Sequence, residues 1–148
     1  MKLISVYRAL VTSAQNSEIC VSDMSAEKEL WRREETGNVT CLLIHNDLII
    51  SAHSDKTICI RDAWKGELLD KLEHAAPCGN FDMSPDGTML AVAHDKGVTV
   101  WSNRTSPMEK IDNFDLERVY DVRFQTDDKI VAVTGRRQDH QLHLITRK

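Results

Sequence analysis

One segment of this chain occurs twice without a gap. Residues 11–23 (VTSAQNSEICVSD) and 50–62 (ISAHSDKTICIRD) share an apolar strand, a polar turn, an Ile-Cys-apolar strand and an aspartate. A looser copy covers residues 90–102, and a fainter one covers residues 131–146. The equivalent positions, at steps of 39, 40 and 44 residues, are Ile19, Ile58, Val98 and Leu142. A period of this size predicts a row of similar supersecondary units that pack on their neighbours.

Short apolar runs broken by turn residues predict β-strands along the whole chain. Val39–His45 (VTCLLIH) is nearly continuous in apolar residues, as expected for an inner strand that is buried on both faces. Residues 84–87 (Ser-Pro-Asp-Gly) have the composition of a tight turn, in which Pro presets φ and Gly accepts a positive φ. Residues 28–33 have helical propensity, but the repeat register predicts a charged outer edge strand there.

The repeat divides the chain into units of four antiparallel strands, with one strand missing from the last unit. No linker or low-complexity segment separates them, so we expect one domain over residues 1–148. The expected units are residues 1–35, 36–73, 74–113 and 114–148.

Composition and charge argue against several classes of partner and site. The formal net charge of −4 and the pI near 5.8 disfavour nucleic acid and anionic lipid as partners. No apolar run approaches the ~20 residues of a membrane span. The four cysteines have neither C-x-x-C nor zinc spacing, and they are typical of thiols in a reducing compartment, cytoplasmic or nuclear. No metal site or cofactor is expected.

Motifs of catalysis do not occur in this chain. There is no G-x-S-x-G, phosphate-binding loop, H-E-x-x-H or dinucleotide fingerprint. Asp127 and Asp128 form a carboxylate pair, but in a predicted hairpin turn where aspartate is routine. His140 and His143 are three positions apart on a predicted strand, so they point to opposite faces and make a poor metal pair. We therefore predict a protein that is not an enzyme.

The residues from Leu72 to Ser102 resemble a WD40 repeat. His74 stands ten residues before Ser84, which opens the Ser-Pro-Asp-Gly turn, and Trp101 closes the third strand. Glu73 replaces the glycine of the family's Gly-His pair, and Ser102 replaces the aspartate of its Trp-Asp pair. Four-stranded units of about forty residues extend the resemblance over essentially the whole chain.

The resemblance also implies structural roles for several residues. In the family a histidine, a turn aspartate and the tryptophan form a hydrogen-bonded network, and the matching residues here are His74, Asp95 and Trp101. The second unit keeps Asp55 and Asp62 but has Glu35 at the histidine position, and the first unit keeps Asp23. These aspartates are interpreted as parts of the repeat signature.

The fold that the resemblance implies is all-β. We expect four antiparallel four-stranded sheets, the last incomplete, that form a partial or small WD40-type β-propeller. The chain corresponds to the C-terminal half of a larger propeller or to a small one, and ring closure and self-association stay open at this point.

The function that the resemblance implies is a non-catalytic protein-interaction scaffold that binds a peptide or partner domain on one face of loops. An acidic or phosphorylated segment fits the basic residues of those loops. Trp31 and Trp64 are further candidate anchors. The alternatives are a substrate-recognition part of a ubiquitin ligase, a propeller-based hydrolase, and a purely structural set of sheets. The candidate binding residues are His53, Lys96, Arg118, Arg136 and Arg137.

Overall fold

The computed structural model describes residues 2–6, 9–14, 17–23, 26–136 and 138–147, with the backbone alone for residues 2–6, 9–14 and 136. The described residues form antiparallel β-strands joined by turns, as the repeat predicts. The strands are β1 (Lys2–Val6), β2 (Ala9–Ala14), β3 (Glu18–Asp23), β4 (Lys28–Glu34), β5 (Val39–His45), β6 (Leu48–His53), β7 (Thr57–Asp62), β8 (Leu68–Glu73), β9 (Asn80–Met83), β10 (Met89–His94), β11 (Gly97–Ser102), β12 (Glu109–Asp115), β13 (Val119–Thr126), β14 (Lys129–Arg136) and β15 (Asp139–Thr146).

These strands form four sheets in which each strand pairs with the next along the chain. Three sheets have four strands, ordered β1-β2-β3-β4, β5-β6-β7-β8 and β9-β10-β11-β12, and the last has three, ordered β13-β14-β15. The predicted all-β class, with four antiparallel sheets and an incomplete last one, is confirmed. The described residues contain no helix of the length and apolarity that a membrane crossing needs.

The outer strand β4 shows how register overrides local propensity. Its residues favour a helix, but the strand pairs with β3 over its whole length. Six of its seven residues are exposed and mostly charged, and Trp31 alone is buried. Arg32 bonds Glu29 at 2.8 Å and also pairs with Glu18. The predicted charged edge strand is therefore confirmed, and its charges protect the edge from pairing with another chain.

Contacts group the residues into two compact units, 1–75 and 76–148. In the first unit, Ile19, Val21 and Trp31 of the first sheet pack against Leu42 and Ile49 of the second. All five side chains are 6% exposed or less. Packing between neighbouring sheets therefore supplies the core of this unit, as a repeat architecture requires.

The second unit has its own core between the third and fourth sheets. One face of the third sheet packs on the fourth sheet, and every residue of this contact is 3% exposed or less. The third sheet contributes Ala91, Ala93, Val98 and Val100, and the fourth contributes Val119, Val122, Ile130 and Ala132. The prediction of a single domain stays a prediction.

Candidate functional site

The loop that enters the second sheet lies beside the turn between that sheet's second and third strands. In the second sheet, residues 35–38 bind residues 54–56 through backbone and side chains. Ser54 N donates to Asn38 O at 2.9 Å, and Thr36 Oγ1 donates to Asp55 Oδ2 at 2.7 Å. The entering loop and the turn are therefore held as one surface.

Asp55 acts as the fixed acceptor of this loop pair. Its Oδ1 accepts bonds from Thr57 Oγ1 at 2.6 Å and Thr57 N at 3.1 Å. The hydroxyls of Thr57 and Thr36 lower the pKa of Asp55 to about 2. The carboxylate therefore stays charged and holds the turn.

In the second unit, the loop that enters the fourth sheet bonds the β10–β11 turn of the third sheet. Arg118 N donates to Asp95 O at 2.7 Å, and Leu116 N donates to Lys96 O at 3.2 Å. Arg118 adopts a left-handed φ of 57°, which turns the chain sharply into β13. Two of the residues expected to bind a partner, Lys96 and Arg118, are thus held next to each other.

Three adjoining cavities open at these loops. The first, of about 420 Å³, is lined by Leu116, Glu117, Arg118, Thr134, Gly135, Asp139, Gln141 and His143. The second, of about 350 Å³, is lined by Pro77, Cys78, Gly79, Asp95, Arg118, Val119, Tyr120 and Gly135. The third, of about 360 Å³, is lined by Asp95, Lys96, Asp115, Leu116 and Glu117. We call this region the loop surface. Arg118 borders two of the cavities, so it is the most central cation among the described residues.

The described part of the loop surface carries charges of both signs. Among the described residues, four carboxylates line the loop surface beside Lys96 and Arg118. They are Asp95, Asp115, Glu117 and Asp139. Asp95 and Glu117 are direct neighbours of Lys96 and Arg118 in the sequence, and Asp139 opens β15. The expectation of an acidic or phosphorylated partner segment stays a prediction.

His53 does not belong to the loop surface. Its side chain is 0% exposed, and both ring nitrogens face protein atoms. The expectation that His53 contacts a partner is corrected by this burial. Its position at the end of β6 suggested exposure, but the ring turns inward beneath residues 35–38. The side chain of Arg136 and the whole of Arg137 lie outside the described residues, so both stay predictions.

Beneath the loops of the second sheet lies a buried polar network. Arg61 Nε donates to Glu35 Oε1 at 2.8 Å, and Arg61 Nη1 donates to the carbonyl of Gly66 at 3.0 Å. Glu35 and Arg61 occupy the positions where the WD40 pattern has histidine and tryptophan. An ion pair therefore stands at these two positions, and with side chains 4% and 11% exposed it is shielded from water.

His53 continues this network in one tautomer. The carbonyl of Gly37 lies 3.2 Å from Nδ1 and can only accept, so Nδ1 carries the hydrogen. Nε2 then accepts from the Ser51 hydroxyl at 2.9 Å. The carboxylate Oε2 of Glu35 lies 4.0 Å from Nε2. Ser51 and Gly37 thereby fix the ring orientation.

Glu35, His53 and Cys59 also form the candidate metal cluster among the described residues, with ligand atoms within 4.8 Å of one another. Each of the three is otherwise engaged. Arg61 holds the carboxylate, Ser51 occupies Nε2, and burial with the nearby Glu35 charge raises the pKa of the Cys59 thiol to about 11. A thiolate is the species that binds metal. Hydrogen bonding accounts for the cluster, so we do not interpret it as a metal centre.

In the third and fourth sheets a histidine–threonine pair occupies the positions that His53 and Cys59 have in the second sheet. His94 Nε2 bonds Thr99 Oγ1 at 3.0 Å in the third sheet, and Thr134 Oγ1 bonds His143 Nε2 at 2.9 Å in the fourth. Sequence reasoning missed these pairs because histidine and threonine exchange places between the two strands. His143 also lines the first cavity of the loop surface.

The repeat-signature residues hold turns and strand ends. Asp62 Oδ1 accepts from Trp64 N at 2.9 Å and Lys65 N at 2.7 Å, and Asp23 Oδ1 accepts from Ala26 N at 3.3 Å. His74 is 8% exposed, and its backbone N donates to Lys56 O at 2.9 Å. The family network through His74, Asp95 and Trp101 stays a prediction.

The two candidate tryptophan anchors differ in exposure. Trp31 is 6% exposed, and its Nε1 donates to Ala63 O at 2.8 Å, so it belongs to the core and its role as a partner anchor is wrong. Trp64 is 45% exposed, and its Nε1 donates to Asp47 Oδ1 at 3.0 Å. Its position at the β7–β8 turn is at the opposite end of the second sheet from residues 54–56.

The carboxylates of the turns are held in their charged form. Hydrogen bonds from Ser84 and Thr88 lower the pKa of Asp86 to about 2, and a bond from Thr126 lowers the pKa of Asp128. Asp127 accepts from Asp86 N at 3.0 Å. A general acid needs a carboxyl whose pKa is raised toward neutrality, and these turns do the opposite.

Comparisons with known proteins agree with this geometry. Residues 66–102 match the family model described as WD domain, G-beta repeat. A search of curated protein sequences finds no match. The computationally designed Ika4 protein is similar in structure, with a TM-score of 0.80 and 19% identity over 99% of this chain and 89% of that one.

A second solved structure extends the comparison to a natural domain. The β-propeller domain of Cps50 (Swd1) from Myceliophteria thermophila aligns with a TM-score of 0.80 and 13% identity, over 94% of this chain. This chain spans 48% of that one. These findings support the WD40 resemblance: residues 66–102 match the family's repeat, and the four sheets have the fold of propeller blades.

Proposed function

We propose that the chain is a non-catalytic interaction module that binds a peptide or partner domain on the loop surface. The observation that carries the proposal is the joining of three cavities around Lys96 and Arg118. The WD40 propeller fold supports a protein-interaction scaffold in general. Rigid sheets with binding residues on their connecting loops are a common arrangement for recognition.

The chemistry of the loop surface suggests the kind of segment that it accepts. Arg118 and Lys96 fit a carboxylate or phosphate group, and arginine forms paired hydrogen bonds with such groups. Asp95, Glu117 and Asp139 fit a lysine or arginine in the same segment. We therefore propose a partner segment with charges of both signs rather than a purely acidic one.

The turn carboxylates support a non-catalytic role. The pKa values of Asp55 and Asp86 are lowered to about 2, because nearby hydroxyl groups donate hydrogen bonds to both carboxylates. A propeller-based hydrolase needs a proton donor near neutral pH. The polar groups described here favour binding over proton transfer.

The test uses an array of synthetic peptides in four sets: acidic, phosphorylated, basic and mixed-charge. The purified chain is applied to the array, and hits are titrated in solution by fluorescence anisotropy. We expect hits in the mixed set with affinities that fall as salt rises. Arg118→Gln keeps the left-handed position occupied by a similar side chain but removes the charge. It should weaken binding about tenfold or more, as loss of a central arginine contact does.

Arg104→Gln is the matched control, because Arg104 follows β11 at the end of the third sheet opposite the loop surface. It should leave the affinity within about twofold. Equal weakening by both variants, or binding that neither changes, would remove the loop surface from the proposal. Circular dichroism of each variant checks that the fold is kept.

A further inference from the structure

The fourth sheet carries an apolar face that the described residues leave open to solvent. Val133 on β14 is paired with Leu142 on β15, and Val131 is paired with Leu144. Directly paired residues of antiparallel strands lie on the same face. Leu142 is 75% exposed and Leu144 is 61% exposed. We call these four residues the open face.

The same register positions are buried in the other sheets. In the third sheet they are Ala91, Ala93, Val98 and Val100, all 0% exposed. In the second sheet they are Ile50, Ala52, Ile58 and Ile60, all 3% exposed or less. In the first sheet, Ile19 and Val21 correspond to the two leucines and are 1% exposed or less. The open face therefore keeps the composition of a sheet contact while its leucines lie in solvent.

The third sheet shows what covers such a face. Its four residues pack on Val119, Val122, Ile130 and Ala132 of the following sheet. The first and second sheets repeat this contact, since Ile19 and Val21 pack on Leu42 and Ile49. The matching occupant of the open face is therefore the first two strands of another sheet of this kind.

The first sheet has the register of that occupant. Leu42 pairs with Ser51, Val122 pairs with Ala132, and Leu3 pairs with Thr12 at the equivalent place. Leu10 of β2 likewise corresponds in register to Ile49 and Ile130. The first sheet of a second copy thus brings apolar residues to the positions that cover such a face in the other sheet pairs.

We propose that two copies of this chain associate, with the open face of each packed on strands β1 and β2 of the other. The two contacts are identical, so a two-fold axis relates them and the assembly closes as a dimer. Two copies bring together eight sheets, within the range of about four to eight blades at which propellers close. The proposal does not depend on the loop surface binding a partner.

The proposal is tested by analytical ultracentrifugation of the 148-residue chain, of 16.8 kDa, from about 1 to 100 µM. We expect a species of twice that mass. Leu142→Glu with Leu144→Glu places two charges on the open face, and it should raise the dissociation constant at least ~100-fold. Because both leucines are exposed within the chain, the change should not unfold it, and circular dichroism checks this.

The matched control is Leu68→Glu with Leu69→Glu on the outer strand β8, where the two leucines are 48% and 49% exposed. It adds the same charges away from the open face and should leave the dimer intact. Hydrogen exchange gives a second readout: the Leu142/Leu144 variant should speed exchange in residues 2–14 as well as in residues 139–146. A monomer at 100 µM, higher oligomers, or a dimer that both variants weaken equally would overturn the proposal, as would a dimer whose residues 2–14 exchange unchanged.

Discussion

At the scale of single residues, the second sheet depends on an ion pair that lies almost out of water. Glu35 and Arg61 are 2.8 Å apart with side chains 4% and 11% exposed. Removing water from two charges costs free energy, and their attraction with further hydrogen bonds offsets that cost only while both are present. Arg61 also donates to Gly66 O, so the pair connects the entering loop to the β7–β8 turn.

Replacing one member of this pair should therefore destabilise the fold strongly. Glu35→Gln leaves the Arg61 guanidinium buried without a counter-charge, and we expect a loss of about 3–5 kcal/mol in the free energy of unfolding. The double variant Glu35→Leu/Arg61→Met should recover most of that loss, because neither charge is then buried. Urea titrations of the three proteins give the values. A Glu35→Gln protein within about 1 kcal/mol of the parent would show that the ion pair adds little.

At the scale of elements, Gly66 lets the β7–β8 turn lie against a tryptophan of the preceding sheet. Its φ is +70°, and a Cβ built on it would lie 2.6 Å from Trp31 Cδ2. Gly66→Ala thus adds a left-handed strain and an overlap with a buried ring, and we expect a loss of about 2–4 kcal/mol. Gly87→Ala is the control. Gly87 has a φ of +72° in the Ser84–Gly87 turn, so this variant measures the cost of the left-handed backbone alone. Thermal unfolding compares the two, and equal losses would mean that Trp31 moves aside at no cost.

The tight turns also give the fold a dependence on acid. Asp55 and Asp86 have their pKa lowered from 3.8 to about 2 by hydrogen bonds from Thr57 and Thr36, and from Ser84 and Thr88. A lowered pKa in the folded state stabilises the fold fully above about pH 4, and this contribution is lost as the pH falls toward 2. The urea concentration at the unfolding midpoint should therefore decrease as the pH is lowered from 4.5 to 2.2.

Asp86→Asn removes the carboxyl group that takes up a proton in acid. The urea midpoint of this variant should therefore decrease less steeply than that of the parent over the same pH range. Glu109→Gln on the exposed outer strand β12 is the control and should follow the parent. If the Asp86→Asn protein loses stability with acid as steeply as the parent, the bonds from Ser84 and Thr88 do not set the acid dependence.

The strands could be predicted because side-chain alternation and turn residues repeat in register along this chain. Even β4 could be placed, since its equivalents in other units outweighed its helical residues. The burial of His53 could not be predicted, because the repeat places this residue at a strand end but does not determine the orientation of its ring. Asp95 and Glu117 could be placed on the loop face with their neighbours Lys96 and Arg118, whereas Asp139 could not, because packing of the third and fourth sheets brings it there.

At the scale of the whole molecule, each compact unit buries its own apolar residues. The first unit holds Ile19, Trp31 and Ile49 between its two sheets, and the second holds residues such as Val98 and Ile130. In a repeat protein, stability is roughly a sum of each unit and its neighbouring interfaces, so a local defect is felt most where it lies.

We therefore expect Glu35→Gln to act unevenly along the chain. Amide hydrogen exchange, followed by mass spectrometry under native conditions, should quicken across residues 39–73, because the lost ion pair lies in that sheet. Residues 89–102 and 129–146 should change less. The double variant Glu35→Leu/Arg61→Met is the control and should restore slow exchange in residues 39–73. An equal quickening in both units would instead show that the chain opens as a single cooperative body, in which a defect in one sheet lowers the stability of all four.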